Sequence, residues 1–531
     1  MLEKGISRGS MLNARYAISL LSRTRRPCEK SQLFLACTAP RLFHSNAVGD
    51  TFQGALLGKI SPASIFPYTA GWWLHLDKEQ RAARYIEFDF DRLCEKVLSL
   101  CPSATSIKNF QKIEGGFSKV FIIETNNDKN VVVKLPTSTA GSARHITNSE
   151  VATMTYLKCN TQIPIPNILD WNDDPANPIG SAYIIMEHAG GVLLQKAWID
   201  MPVDKKIKCT GSICTSIFPI TKLDFPAYGS LYFSDSPFLD AGSKQKLDAD
   251  HRYCIGPHCR SSTYRDYNVG ESRYYRFEKP NRGPWGTLSS YASALVDSGL
   301  ARLPPPHQPL RLQQQATYQG SIDRHVELLK TAQNVFPHLI QHPDIQASAS
   351  PTLFHPDLHK RNIFVSQDDP TIVTGIIDWQ AASIEPAFYY ADEAPDFAKF
   401  PAEGLSDSSE ESLCYQSYEV GLALLAPRLG ATRKIDETLL RPFRYCHRTW
   451  RDGFVPFTYE LMRLRDSWTT LGFQNDCPIP AMGAEEKSFY KEQLDIYDGM
   501  LEIRRDIIEI LGVEEDGWVP AERWEEVKKA H

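Results

Sequence analysis

A short polar series between residues 354 and 379 has the side-chain types that phosphoryl transfer requires. His355, Asp357 and Asn362 stand in the order H-x-D-x-x-x-x-N, and Asp378 follows sixteen residues after Asn362. Phosphoryl transfer needs an aspartate near the attacking hydroxyl, and an asparagine and an aspartate that bind Mg²⁺. These residues would hold one divalent cation and one hydroxyl group together, provided that the fold brings them to the same place.

The residues that follow Asn362 predict a hairpin that would do so. An apolar strand at 363–365 and a second at 372–377 flank a Gln-Asp-Asp-Pro turn. In an antiparallel hairpin the start of the first strand lies beside the end of the second. Asn362 and Asp378 are therefore expected to be neighbours, with Asp357 on the loop that leads in.

Upstream, residues 105–190 are rich in predicted strands and contain a second group of candidate residues. A turn at Gly115 and Gly116 lies between two strands, and the next strand ends on Lys134. Paired glycines let a backbone approach phosphates closely, and a lysine supplies a point charge for phosphate oxygens. Glu150, near the start of the following helix, is a candidate partner for Lys134, although a glutamate in a first helical turn is also favoured by the helix dipole.

A buried strand at 183–187 runs into a glycine-rich connector that ends at Gly191. Residues 200–310 are hard to interpret, with turns, a polar aromatic run and a proline-rich loop. Beyond Asp378, apolar residues at helical spacing predict helices over 411–429, 437–464 and 485–511. The apolar stripe of the last helix is expected to be core and not a membrane or partner surface.

The composition and charge of the chain argue against some classes of function. The 531 residues carry a net charge of −6, but residues 1–44 alone carry +6, which leaves −12 on the remainder. Such an acidic remainder argues against a nucleic-acid partner. No apolar run is long enough to span a bilayer. The basic, serine-rich N-terminus, with an Arg41-Leu42-Phe43 cleavage pattern, predicts a mitochondrial transit peptide and a matrix location.

The order of these motifs resembles the aminoglycoside phosphotransferase and choline kinase-like branch of the protein-kinase-like fold. H-x-D-x₄-N followed by Ile377-Asp378-Trp379 is typical of that branch. The segments FSKVF, YIIMEHAGG, AYGSLYF and FHPDLHKRNIFV strengthen a similarity to the fungal altered inheritance of mitochondria protein 9 family. The resemblance implies an α+β bilobal fold with a β-rich small lobe and an α-rich large lobe.

The expected organisation follows from this resemblance. It comprises a transit peptide at 1–44, a helical extension at 45–104, a small lobe at 105–190 and a large lobe at 191–531. The large lobe would contain the catalytic loop at 354–379 and an insertion at about 200–310.

The resemblance also implies roles for residues in an ATP- and Mg²⁺-dependent phosphotransferase. Asp357 would be the catalytic base, and His355 would support the catalytic loop. The remaining expectations concern the nucleotide and the metal: phosphate binding by Gly115, Gly116 and Lys134, positioning of Lys134 by Glu150, adenine binding by the backbone of Glu187 and Ala189, and Mg²⁺ binding by Asn362 and Asp378. His359 is expected to take no part in the site.

The acceptor would be a small molecule that bears a hydroxyl group, and the sequence names neither it nor a protein partner. An acidic stretch at 392–396 would either face a cationic substrate or be a solvated loop. Two other functions are considered: an inactive kinase-like scaffold or nucleotide-binding module, and a metal hydrolase built on His355, Asp357 and His359. Pro356 and the lack of a further His/Asp cluster in the sequence disfavour the metal hydrolase.

Overall fold

The computed structural model describes residues 65–259, 281–304, 317–391, 393–401, 406 and 408–530. The expected transit peptide lies outside these residues, as do residues 45–64 of the predicted extension. The fold is α+β, as predicted, with an antiparallel sheet early in the chain and a largely helical part after it.

The early part contains one five-stranded antiparallel sheet in the order β2-β3-β4-β6-β5. Its elements and those just before it are β1 (Gly71–Trp73), α1 (Asp77–Ala82), α2 (Phe90–Leu100), β2 (Ile107–Glu114), β3 (Ser118–Thr125), β4 (Asn130–Pro136), α3 (Ala143–Asn160), β5 (Ile168–Asn172) and β6 (Tyr183–Glu187).

Alternating burial explains why one face of this sheet packs against α2. Phe121 and Ile123 on β3 and Val133 on β4 are completely buried, while their chain neighbours on the other face, except Lys134, are partly exposed. They contact Leu93 and Val97 of α2 in one hydrophobic cluster. Because side chains alternate across a strand, this packing fixes which residues of β4 face the opposite side.

The later part contains short strand pairs among many helices. Its elements are β7 (Val192–Leu193), α4 (Leu194–Ile199), α5 (Val203–Ile217), β8 (Ser230–Phe233), β9 (Gln245–Lys246), β10 (Tyr253–Gly256), α6 (Leu288–Ala301), α7 (Ile322–Gln341), α8 (Pro343–Ala347), β11 (Pro351–Leu353), β12 (Ile363–Val365), β13 (Val373–Ile376), β14 (Ile384–Pro386), α9 (Glu410–Leu425), α10 (Pro427–Thr432), α11 (Glu437–Tyr445), α12 (Thr449–Asp452), α13 (Phe454–Asp466), α14 (Ala484–Leu511), β15 (Trp518–Pro520) and α15 (Trp524–Ala530).

The predicted hairpin is confirmed. Strands β12 and β13 are antiparallel, and Ile363 lies opposite Ile376. The Ile377 N–H donates to the Asn362 carbonyl at 2.9 Å, which places Asp378 beside Asn362. The second strand is shorter than expected and begins at Val373.

The described part of the 200–310 insertion belongs to the main core. Leu231 and Ile255 are fully buried in the same cluster as Ile384, and Gly229 exchanges two backbone hydrogen bonds with Ile384. The insertion also reaches α3, because Asn148 Oδ1 accepts from the Phe233 N–H at 3.1 Å. It therefore joins the helix of Glu150 to the later part of the chain.

The C-terminal helices differ from the predicted runs at three breaks, one of which is the 3₁₀ turn Cys446–Arg448 between α11 and α12. Ala426 leaves the helical conformation before Pro427, because a residue that precedes proline disfavours the helical region, and 411–429 becomes two helices. The 437–464 run is interrupted near Gly453, which has φ +84° and whose Cβ would lie 2.7 Å from the Tyr318 carbonyl oxygen.

The long helix α14 packs as predicted, with Tyr490 and Tyr497 buried in the helical core. Across the residues that the structure describes, no helix has the length and apolarity needed to cross a membrane.

An N-terminal arm, residues 65–73, is partly strand where the sequence predicted a helical extension. Its strand β1 pairs with β15, near the C-terminus, with Trp72 opposite Val519. At its other end, the Thr69 N–H donates to Glu114 Oε2 at 2.7 Å, and the Ile65 carbonyl accepts from buried Lys119 at 3.1 Å. The arm thus links the turn after β2 to the end of the chain.

Gly191 should be intolerant of a side chain, and its neighbour Gly190 offers a matched control. Gly191 has φ +91°, and a Cβ there would lie 2.1 Å from the Val365 carbonyl oxygen, whereas a Cβ on Gly190 would have no atom within 4 Å. We expect Gly191→Ala to lower the free energy of unfolding by about 2 kcal/mol or more, since the left-handed conformation and the clash both oppose alanine.

Gly190→Ala should change the free energy of unfolding by less than about 1 kcal/mol. Urea denaturation followed by circular dichroism measures both values. Equal losses in the two variants would contradict the close approach at Gly191.

Candidate functional site

The loop between His355 and Asn362 surrounds the Asp357 side chain with hydrogen-bond donors. Asn362 Nδ2 donates to Asp357 Oδ2 at 2.7 Å and to the Asp357 carbonyl at 2.8 Å. Arg361 Nη2 lies 2.6 Å from Oδ1 and 2.7 Å from Oδ2. The 3₁₀ turn Lys360–Asn362 brings both donors back to the aspartate.

His355 supports this loop through two hydrogen bonds, which is the role that the sequence predicts. The ring is fully buried, its Nε2–H donates to the Ile377 carbonyl at 2.9 Å, and its Nδ1 accepts from the Asp357 N–H at 3.0 Å. Burial lowers the pKa of His355 although the Ile377 bond opposes this, so the ring stays neutral.

Because both ring nitrogens are in use, His355 has none left for a metal ion, which argues against the metal-hydrolase interpretation. In the chain as described, no group of three or more His, Cys, Asp or Glu residues is arranged to hold a metal.

A buried lysine connects the two halves of the site. Lys134 Nζ, on β4, lies 2.7 Å from Glu150 Oε1 on α3 and 2.7 Å from Asp378 Oδ1 after the hairpin. Burial opposes the charge of Lys134, but the Asp378 and Glu150 carboxylates outweigh it and raise its pKa. The pair expected between Lys134 and Glu150 is thus present, and Asp378 joins it.

Asp378 and Asn362 together form a plausible ligand set for Mg²⁺. Asn362 is fully buried and its Oδ1 has no hydrogen-bond partner in the described structure, although such an oxygen is normally paired. Burial opposes the charge of Asp378, yet Lys134 outweighs it and keeps the pKa of the carboxyl lowered, so the group is anionic. Two oxygen donors of these types suit Mg²⁺, which completes its shell with water and phosphate oxygens.

The backbone of Asp378 is also unusual. Its φ is +65°, in the left-handed region that residues with a side chain seldom adopt. Strained positions of this kind concentrate at functional sites, where the surroundings hold them in place. Here the surroundings include the Lys134 ion pair and the end of the hairpin.

Gly115 and Gly116 form the turn between β2 and β3, at the edge of the same sheet. The Gly115 N–H donates to the Ser118 carbonyl at 3.0 Å, and the Gly116 carbonyl accepts from Thr139 Oγ1 at 2.7 Å. The exposed ring of Phe117 lies at the tip of the turn. Because the turn precedes β3, which pairs with β4, it lies on the sheet that positions Lys134.

The two residues expected to bind adenine differ in what their backbones offer. The Glu187 N–H already donates to the Asn167 carbonyl at 2.9 Å, so this donor is occupied. Ala189 is buried, and its N–H and C=O make no hydrogen bond within the described residues. Of the two residues, Ala189 is therefore better placed to bind the edge of the adenine base.

The expectation that His359 lies outside the site is wrong. Its Nε2 is 3.3 Å from Asp357 Oδ1, and its Nδ1 accepts from the Asp396 N–H at 3.1 Å. The alternation of His355, Asp357 and His359 was visible in the sequence. It did not reveal this contact, because the contact depends on where the chain returns 37 residues later.

Arg361 was also missed, although its position four residues after Asp357 and beside Asn362 was a usable signal. Its side chain is only 10% exposed, and so is not a surface group.

The acidic stretch fits neither earlier alternative as stated. Asp396 Oδ1 accepts from the Lys360 N–H at 2.9 Å, and Oδ2 lies 3.8 Å from Lys360 Nζ. Asp396 is thus part of the catalytic-loop scaffold, neither a solvated residue nor one waiting for a cation. Asp392, at the start of the stretch, lies outside the described residues.

Removal of the Glu150 carboxylate should destabilise the protein far more than removal of a surface charge. Glu150 has a side chain 3% exposed, and its loss leaves buried Lys134 with one carboxylate in place of two. We expect Glu150→Ala to lower the free energy of unfolding by about 3 kcal/mol.

The control is Lys208→Ala, because Lys208 and Asp204 are both 69% exposed and lie 3.7 Å apart. Lys208→Ala should lower the free energy of unfolding by less than about 0.5 kcal/mol. A Glu150→Ala cost as small as that of the control, by urea denaturation, would show that the buried pair contributes little.

Comparison with known proteins shows that part of the chain is similar to one family. A family model for the phosphotransferase enzyme family matches residues 288–389, which include the catalytic loop and the hairpin. A subtelomeric hrmA-associated cluster protein of Aspergillus fumigatus is 31% identical over 312 residues, covering 52% of this chain and 58% of the relative. The chain therefore spans less than two thirds of that relative's length.

A second relative aligns over most of the chain. Altered inheritance of mitochondria protein 9, mitochondrial, of Yarrowia lipolytica is 23% identical over 528 residues, covering 87% of this chain and 86% of the relative. Among solved structures, an aminoglycoside phosphotransferase in complex with GDP and kanamycin has 14% identity, with 77% of this chain and 97% of that chain covered at a TM-score of 0.34. The family model and the relatives confirm the resemblance drawn from the motifs: residues 288–389 match the phosphotransferase enzyme family, and the chain is similar to the altered inheritance of mitochondria protein 9 group.

Proposed function

We propose that this protein is an ATP- and Mg²⁺-dependent phosphotransferase that phosphorylates a hydroxyl group of a small molecule. The observation that carries the proposal is the bonded series from Glu150 through Lys134 to Asp378, which ends beside Asn362 and Asp357. A nucleoside triphosphate with its metal ion requires three such groups together: a lysine on a sheet, an anionic aspartate and an amide oxygen that is buried without a partner.

Each residue has a distinct role in this proposal. Lys134 binds the phosphate oxygens, and Glu150 holds Lys134 in position. Asn362 Oδ1 and the Asp378 carboxylate would hold Mg²⁺, which when bound neutralises charge on the phosphate oxygens. Gly115 and Gly116 cover the phosphates with their backbone, and the linker at Glu187 and Ala189 receives the adenine, chiefly through Ala189.

The transfer step uses Asp357 as the base. The hydroxyl oxygen of the acceptor forms a bond to the γ-phosphorus of ATP, and the bond from that phosphorus to the β–γ bridging oxygen breaks. ADP leaves with the electrons of the broken bond. The hydroxyl proton passes to the Asp357 carboxylate, which lies on the loop beside both candidate metal ligands.

The proposal includes a mitochondrial location. Its support is the basic N-terminal composition of the chain, together with relatives that carry the word mitochondrial in their names. The matrix is the expected compartment, and a link to mitochondrial inheritance follows only from the names of those relatives. The acceptor is a small molecule, and neither nucleic acid nor a protein partner is part of the proposal.

A second candidate function is an inactive kinase-like module that binds a nucleotide without transferring phosphate. One observation favours it, because both Asp357 oxygens already accept hydrogen bonds from Arg361 and Asn362. A base in this state does not accept a hydroxyl proton. The two functions differ in whether ATP is consumed in the presence of an acceptor.

Asp357→Asn should separate the two functions. A library of small-molecule alcohols is incubated with the purified protein and γ-labelled ATP, and label transfer is measured. If the first function holds, the wild type labels an acceptor, and Asp357→Asn lowers the transfer rate at least about 100-fold through loss of the base. The affinity for ATP should not fall, because Asp357 is not a phosphate ligand.

Arg428→Gln is the control, since Arg428 pairs with Asp224 in a largely exposed position and should leave transfer unchanged. ATP binding without transfer to any acceptor would favour the inactive module. Transfer that survives Asp357→Asn would refute the assignment of the base.

A further inference from the structure

The Asp357 carboxylate already accepts three hydrogen bonds from its own loop. Oδ1 accepts from Arg361 at 2.6 Å and has the His359 ring at 3.3 Å, while Oδ2 accepts from Arg361 and Asn362, each at 2.7 Å. A carboxylate offers about four lone-pair directions on its two oxygens. Three of these directions are taken by Arg361 and Asn362, so a hydroxyl group that approaches Asp357 competes with donors already in place.

The orientation of His359 strengthens this conclusion. The Asp396 N–H donates to His359 Nδ1 at 3.1 Å, so Nδ1 is an acceptor and carries no proton. A neutral imidazole then has its proton on Nε2, the nitrogen that faces Asp357. This N–H lies 3.3 Å from Oδ1 as a polar contact and not as a hydrogen bond.

Arg361 holds Asp357 in a way that leaves most of the guanidinium unused. A single nitrogen, Nη2, reaches both carboxylate oxygens, while Nε and Nη1 make no hydrogen bond to any residue that the structure describes. The Arg361 side chain is 10% exposed, and Nε and Nη1 are not among the fully buried polar atoms without a partner, so they keep access to solvent. The guanidinium therefore has donors that an incoming acceptor can use.

The position of the guanidinium indicates what this acceptor is. Arg361 bonds to the proposed base, and its charge also lowers the pKa of Asp378, although burial, Lys134 and His355 have larger effects on that group. The guanidinium is thus bonded to the base and close enough to a candidate metal ligand for its charge to act there. The planar fork of an arginine matches the oxygens of a phosphoryl group or a carboxylate better than any other side chain does.

For energetic reasons, another anion must replace the Asp357 carboxylate at Arg361, because simple release of the carboxylate is unfavourable. Separation of a largely buried ion pair leaves two charges without partners, which is strongly unfavourable. An incoming oxyanion removes this penalty, because the guanidinium exchanges one anion for another.

We propose that Arg361 is an oxyanion-binding residue that caps Asp357 at rest and uncaps it when a phosphate-type oxyanion enters with the substrates. The proposal rests on the proposed phosphotransferase function for its consequence, since an uncapped Asp357 accepts the hydroxyl proton. The oxyanion has two possible sources, the γ-phosphoryl group of ATP or an anionic group on the acceptor. Binding measurements distinguish these sources.

The test uses inorganic phosphate as the probe and calorimetry of the full chain. Asp357→Asn removes the competing carboxylate charge and should bind phosphate about tenfold more tightly than the wild type, as one charged hydrogen bond is freed. Adding Arg361→Gln to Asp357→Asn should abolish this gain. Adding Arg428→Gln to Asp357→Asn should retain it, because the pair of Arg428 with Asp224 is largely exposed.

Two results would overturn the proposal: no gain in phosphate affinity in Asp357→Asn, or a gain that persists when Arg361→Gln is added. Thermal unfolding checks that each variant folds. If the double variant does not fold, the comparison of the wild type with Asp357→Asn decides, together with Asp357→Asn/Arg361→Lys, in which lysine lacks the fork and should keep less than half of the gain.

Nucleotide titration identifies the source of the oxyanion. If Arg361→Gln weakens Mg²⁺–ATP binding about tenfold and Mg²⁺–ADP binding less than twofold, the γ-phosphoryl group is the oxyanion. If both nucleotides bind Arg361→Gln as they bind the wild type, while the phosphate gain of Asp357→Asn still requires Arg361, the oxyanion belongs to the acceptor. If no variant binds ATP but the phosphate results hold, the proposed function fails and the oxyanion site stands.

Discussion

The structure depends on the charge of Lys134, a lysine that is largely removed from water and shared by two carboxylates. One carboxylate, Glu150, is on the helix that packs on the early sheet, and the other, Asp378, follows the hairpin of the later part. A buried ammonium is costly unless it is paired, so the protein must keep both partners close. This requirement fixes the distance between the two parts of the chain at the point where a nucleotide would bind.

Other contacts reinforce the same distance. The insertion places Phe233 against Asn148, two residues before Glu150, and its backbone pairs with Ile384, six residues after Asp378. The N-terminal arm bonds to Glu114 beside the glycine turn and forms a sheet with the C-terminal strand. Segments that looked peripheral in the sequence therefore hold together the elements that carry the polar residues. We infer that the insertion helps to define the geometry of the site as well as its surroundings.

The predictable parts of the site were those encoded locally. The hairpin was predictable because two short apolar runs flank a turn. The pairing of Lys134 with Glu150 was predictable from the order of a strand and the helix after it, although Glu150 lies in the middle of α3 and not near its start as expected. Contacts that depend on a distant return of the chain were not predictable. His359 reaches the site through Asp396, and the break at Gly453 is set by the Tyr318 carbonyl, far away in sequence. The acidic stretch was misread for the same reason, since only the fold shows that Asp396 bonds to the loop.

Arg361 gives the site a resting state that differs from a working state by one exchange of partners. A complete set of polar residues is usually taken to mean that a site is ready to react, but here the base already accepts three hydrogen bonds from its own loop. The exchange of one anion for another at the same guanidinium costs far less than the separation of the pair, because the arginine charge is never left alone. The base would therefore be freed only when an anionic group arrives, and wasteful transfer to water would be suppressed at other times. On this view, Arg361 determines when the chemistry begins, while Lys134 determines where it takes place.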